Sequence, residues 1–185
     1  MRATLRDKPI LAALKRSLPP LDGDPIRISF LPSLHASRGR LHSGASEAGQ
    51  PVHAASFLRE RRIVLDSALR GSRVELTRVL LHELFHFVWA RLGNPARRSY
   101  EELLEAEMAA RARGELGWSA ETRKRGLDRG NERAWRDYLC ESFCDSAAWF
   151  FAGLRRHEEV TLARRHRERR AEWFRTWVGG RAIPI

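Results

Sequence analysis

Ten residues, Leu80 to Trp89, constrain this chain more than any other stretch, because they set two histidines and a glutamate in an almost unbroken apolar surround. Read as a helix, the stretch places Leu80, Leu81, Leu84, Phe85, Phe87, Val88 and the nearby Leu92 around nearly the whole circumference. That pattern predicts a helix buried on most sides, not a surface helix with one wet face. At 3.6 residues per turn His82 and His86 share a face one turn apart, and Glu83 lies about 100° around from His82. Buried polar groups without partners cost about 1–3 kcal/mol each, so these three need something to bind. Backbone carbonyls could hold the histidines. A divalent metal ion satisfies all three at once, with the imidazoles as ligands and the glutamate beside them, near enough to take a proton from water without ligating.

Two imidazoles do not complete a zinc site, which needs at least one more protein ligand. The stretch Tyr138 to Trp149 offers Glu141 and Asp145 four residues apart, on one helical stripe with Ala134, Ala148 and Ala152. Small residues let two helices approach closely, and the acids can supply a metal ligand and an acceptor for an imidazole N–H. Glu101, Glu102, Glu105 and Glu107 are rival ligands on a Glu/Arg-dense helix that reads as solvated. Cys140 and Cys144 flank the stripe and read as buried free thiols, not as ligands. His157 falls in an exposed-looking segment. For stabilising an oxyanion, Tyr138, one turn before Glu141, is favoured over Tyr100, His35, His42, His53 and the arginines.

The pair of segments His82-Glu83-Leu84-Phe85-His86 and Glu141-Ser142-Phe143-Cys144-Asp145 resembles the gluzincin zinc metallopeptidases, with their H-E-x-x-H and E-x-x-x-D motifs. The alanines that follow the acids make it similar to the short cytoplasmic peptidases of the ImmA/IrrE type. The resemblance covers about residues 60–92 and 137–154. It implies a zincin-like fold, Zn2+ held by His82, His86 and Glu141, Glu83 as general base, Asp145 as orienter of a ligand, and a protein or peptide substrate.

The rest of the chain frames that site. At 185 residues one domain is expected. A short helix over 9–18 ends at Pro19-Pro20, and Ile26 to Phe30 alternates like a half-buried strand. Residues 32–50 show no periodicity and read as a functional lid or as disorder. Val52–Leu58 and Arg62–Asp66 form a hairpin whose first strand is a sheet edge suited to an extended peptide. Helices follow from Gly71-Ser72 to Gly93-Asn94-Pro95, over 99–113, over 132–154 and, basic and amphipathic, over about 159–178; residues 119–131 read as a loop or broken helix. Strands first and helices after predict an α+β domain with a small, mostly antiparallel sheet and a helical C-terminal half.

A formal charge of +11 invites nucleic acid, but the arginines are spread along the chain and no nucleic-acid motif accompanies them. A non-proteolytic module that binds DNA or protein through this surface, with zinc retained for structure, is therefore the second reading. No apolar run approaches the roughly 18 residues of a membrane span, and no secretory signal is read at the N-terminus. A cytoplasmic location is expected.

Overall fold

The computed structural model describes residues 18–44, 49–128 and 130–185; apart from Leu18, the helix expected over 9–18 lies outside them. Strand β1 (Leu21–Asp22) is followed by β2 (Arg27–Leu31), β3 (Leu34–Ser37), β4 (Arg40–Ser43), β5 (Gln50–Pro51), β6 (Ala54–Phe57) and β7 (Arg62–Asp66). A 3-10 turn over Ser67–Gly71 leads into helices α1 (Arg73–Arg91), α2 (Asn94–Ala109), α3 (Trp118–Arg125), α4 (Glu132–Ala152) and α5 (Arg164–Val178), and the short β8 (Ile183–Pro184) closes the described chain. The architecture is α+β, with small and mostly antiparallel sheets.

The main sheet has the order β2-β7-β6. Ile63, Val64 and Leu65 of β7 are all fully buried, as an apolar run in a central strand should be. β6 pairs antiparallel with β7 from Ala54↔Leu65 to Phe57↔Arg62 and forms the expected edge. β2 joins the other side of β7 in parallel. Residues 32–50, expected to be irregular, instead build a second sheet of order β4-β3-β5 over their described part. Its signal is weak because the strands are only two to four residues long and largely exposed, so no apolar face repeats. This sheet is tied to the first where Asp66 Oδ2 accepts the Leu34 N–H at 2.8 Å.

Helix bounds differ from expectation at several points: α2, expected over 99–113, spans Asn94–Ala109, and α5, expected from about 159, starts at Arg164. Gly93-Asn94-Pro95 does end α1, but α2 begins at once at Asn94, with Pro95 in the first turn, where a missing N–H breaks no bond. Of the loop or broken helix expected over 119–131, the structure has the helix: α3 starts at Trp118 and breaks at Gly126. Gly126 lies just past its end, and its N-terminus is capped from a distance: Glu159 Oε2 accepts the Trp118 N–H and Asp145 Oδ2 the Ala120 N–H, each at 2.8 Å. α4 is bounded locally by Asn131, whose side chain accepts from Arg133 and Ala134, and by Gly153 in the left-handed conformation at φ 65°.

The core lies between the sheet, α1 and α4, and α5 closes it with Phe174 against Phe85, Phe143 and Phe150. Trp173 and Trp177 pack on the same core, so the apolar stripe of the basic helix serves the domain interior. Among the described residues no helix is long and apolar enough to cross a membrane.

Candidate metal centre

Helix α1 is buried around its girth, and its polar face meets the small-residue stripe of α4. Ser72 starts α1 by accepting the Glu75 N–H, and a tertiary surround of apolar side chains, not helix propensity, keeps it in place. Across the interface His82 Nε2 lies 3.1 Å from His86 Nε2 and 3.3 Å from Glu141 Oε2, and His86 Nε2 lies 3.9 Å from the same oxygen. These three side chains form one group able to hold a metal ion. Asp145 is 2% exposed; its Oδ1 takes the Nδ1–H of His82 at 2.7 Å while its Oδ2 accepts from Ala120. Gly117 makes room for that carboxylate, since a Cβ there would stand 2.3 Å from Asp145 Cγ.

Burial alone would push the His82 imidazole down, but Asp145, Glu141 and Glu83 outweigh it and hold the ring well above its ordinary range. His86 is also raised against its burial, chiefly by Cys140. Burial raises Glu141, yet its hydrogen bond from His82 and the charge of both rings leave it below the ordinary carboxylate value. Cations and carboxylate thus stabilise each other in a space that a single divalent ion can also neutralise.

Glu83 is largely buried next to the pair. The Ser56 hydroxyl, on edge strand β6, bonds its Oε2 at 2.5 Å and its backbone carbonyl at 2.9 Å. A cleft of about 460 Å³ opens here, lined among others by Gln50, His53, Ala54, His82, Glu83 and Trp118. Ala54 of edge strand β6 and both residues of β5 therefore line the cleft together with His82 and Glu83. A further hollow, lined by Trp118, Arg123, Arg133 and Glu141, continues from it past the exposed indole of Trp118.

Several expectations are corrected. Tyr138, expected to stabilise an oxyanion, is buried and donates to Glu115 Oε1 at 2.5 Å; it does not line the cleft. Tyr100 bonds Ser142 and Ser146 in the interior. Of the histidines weighed beside them, His53 lines the cleft, whereas His35 and His42 sit opposite each other on β3 and β4. The rival acid Glu107 is not solvated: it pairs at 2.6 Å with Arg170, which is itself fully buried and also grips Glu115 at 2.6 Å. Glu101 accepts from the Trp135 indole. His157 is mostly covered and meets Glu75 at 2.6 Å. Cys140 and Cys144 are free thiols as expected, but both sulfurs reach His86 Nδ1, at 3.5 and 3.4 Å.

Ser56 and Gly117 touch the site without being named by the sequence reading, which weighs the two cysteines and sets them aside as ligands. No local pattern distinguishes a serine in a strand or a glycine before a helix from their many ordinary uses. No protein-family model, curated protein or solved structure matches this chain.

Proposed function

We propose that this chain is a zinc-dependent metallopeptidase of zincin-like architecture that hydrolyses peptide bonds in a protein or peptide substrate, in the cytoplasm. One observation carries the reading: two ring nitrogens from α1 and one carboxylate oxygen from α4 come together, and His82 of that group lines an open cleft together with Glu83. The donor set suits zinc. With zinc–nitrogen and zinc–oxygen bonds of about 2.0–2.2 Å, tetrahedral geometry needs ligand atoms about 3.3–3.5 Å apart. The observed 3.1, 3.3 and 3.9 Å straddle that value.

A zinc ion held there would polarise a scissile carbonyl and bring the pKa of its water toward neutrality. The protein residues divide the remaining tasks. Asp145 fixes the His82 ring by accepting its Nδ1–H, which leaves the Nε2 lone pair facing the centre. Glu83 is the general base: its carboxylate takes the proton of the attacking water and returns it to the leaving nitrogen. Ser56 holds one oxygen of that carboxylate and so fixes its orientation on the cleft wall, which Glu83 lines. An extended substrate can add to the free edge of β6 through backbone hydrogen bonds, which read no sequence. His53, on the cleft wall, is the side chain best placed to meet a developing oxyanion.

The test is Glu83→Gln, assayed for zinc content and for cleavage of an unfolded protein such as casein. The variant is expected to keep zinc and fold and to lose turnover by at least about 100-fold, the scale of general-base catalysis. Equal turnover in the variant and the parent would reject the enzymatic reading and favour a binding module with structural zinc.

A further inference from the structure

We propose that His86 Nδ1 and the Sγ atoms of Cys140 and Cys144 form a second, sulfur-rich cation site, which takes a thiophilic ion such as Cd2+ or Cu+ and shares His86 with the first centre. The three atoms lie within 4.8 Å of one another, and the nitrogen is 3.5 and 3.4 Å from the two sulfurs. With the metal–sulfur bonds of about 2.3 Å and metal–nitrogen bonds of about 2.0 Å typical of zinc, tetrahedral ligands stand about 3.5–3.8 Å apart, so the two nitrogen–sulfur distances already fit. The sulfurs are on one side of α4 because they are one turn apart in it, and His86 faces them from α1. Cys144 is fully buried, whereas Cys140 and His86 are partly exposed, so an ion can enter from their side.

The donor set decides the class of ion. Two sulfurs and one imidazole favour soft d10 cations over magnesium or calcium, which prefer oxygen. Each thiol that ligates gives its proton to solvent. The opposite edge of the His86 ring, Nε2, faces His82 and Glu141. A neutral imidazole has one lone pair. If Nε2 uses it in the first centre, Nδ1 carries the proton and donates it to a sulfur. An ion at Nδ1 must take the lone pair or remove that proton. Stripping that proton from a neutral imidazole is far harder near neutral pH than taking its lone pair, so filling the sulfur site weakens the grip of His86 on the first centre. Only this coupling rests on the metallopeptidase reading; the site itself does not.

The experiment titrates Cd2+ into the metal-free, reduced full chain and follows the ultraviolet thiolate-to-metal charge-transfer absorption. The band is expected in the parent and in His82→Ala, which cripples the first centre, and is expected to be lost in Cys140→Ser and Cys144→Ala. Circular dichroism verifies that each variant is folded; Cys140, the less buried, guards against failure of the other. Loading the sulfur site is expected to lower zinc affinity by about fivefold or more in the parent, and not in Cys140→Ser. No band in the parent, or a band that survives both cysteine substitutions, overturns the site. A band obtained from a parent that fails to bind zinc at His82 supports the sulfur site and overturns the metallopeptidase centre instead.

Discussion

Replacing Gly117 with alanine attacks the proposed metal centre through a residue outside its donor set. Gly117 has φ −172°, an extended backbone open to any residue, so the effect of a methyl group there is purely steric. The added carbon would lie 2.3 Å from Asp145 Cγ and 2.4 and 2.6 Å from its oxygens. Carbon atoms in contact stay about 3.5 Å apart, so the carboxylate must retreat by about 1 Å. It cannot retreat and keep both of its bonds, at 2.7 Å to His82 and 2.8 Å to Ala120. Loss of the acceptor behind a metal-binding histidine weakens metal affinity by about 10–100-fold, which is about 1.4–2.8 kcal/mol. Overpacking adds about 1–3 kcal/mol of destabilisation. Zinc affinity, measured by competition with a chromophoric chelator, is expected to fall by that factor in Gly117→Ala and in Asp145→Ala. The double variant should bind no more weakly than Asp145→Ala alone, because the methyl then has nothing to displace. Parent-like affinity in Gly117→Ala, or losses that simply add in the double variant, would refute the role given to Asp145.

Three further outcomes follow from the same geometry. Ser56→Ala removes the hydroxyl from Glu83; kcat should fall about tenfold, the scale of one hydrogen bond to a charged group, with zinc content unchanged, and an unaltered kcat would show that Glu83 is aimed without it. Arg170→Met leaves Glu107 buried without its cation and Glu115 with Lys124 alone and should destabilise the fold by about 3–5 kcal/mol in urea denaturation; a loss under about 1 kcal/mol would contradict the burial of that network. Burial raises the Glu115 carboxyl, but Arg170 and Lys124 bring it down to about 2 from the ordinary 4.5. A depressed carboxylate stabilises the fold fully above its unfolded pKa, so about 3 kcal/mol should be lost as pH falls from about 4.5 toward 2. Acid titration of stability in the parent tests this, and a stability flat across that window would refute it.

What could be read in advance was what repeats along the chain. The apolar girth of α1 and the four-residue spacing of His82 and His86 are local facts, because one turn of helix decides which side chains share a face. The same holds for the Glu141–Asp145 stripe of α4 and for the β6–β7 hairpin, whose strands are adjacent in sequence. The small sheet of β3, β4 and β5 was illegible because strands so short and exposed carry no periodic burial. For α3 the sequence left loop and broken helix open, because its N-terminal caps come from Asp145 and Glu159, 25 and 41 residues away from the N–H groups they accept.

The distinction is sharpest among the charged residues. Glu107 and Glu141 are both glutamates on helices, and spacing made each a candidate ligand; only packing places one on Arg170 and the other beside two imidazoles. Tyr138 has an ordinary sequence position, and the nearness of Glu115 turns its hydroxyl inward. By itself the sequence determined an α+β chain with a buried helix carrying two histidines and a glutamate. Tertiary structure alone decided which distant acid joins them, that Gly117 makes room for Asp145, and that two sulfurs stand behind His86. The physical reason is range: helical phase is set by neighbours within a turn, whereas convergence of donor atoms on one point depends on how α1, α3 and α4 pack.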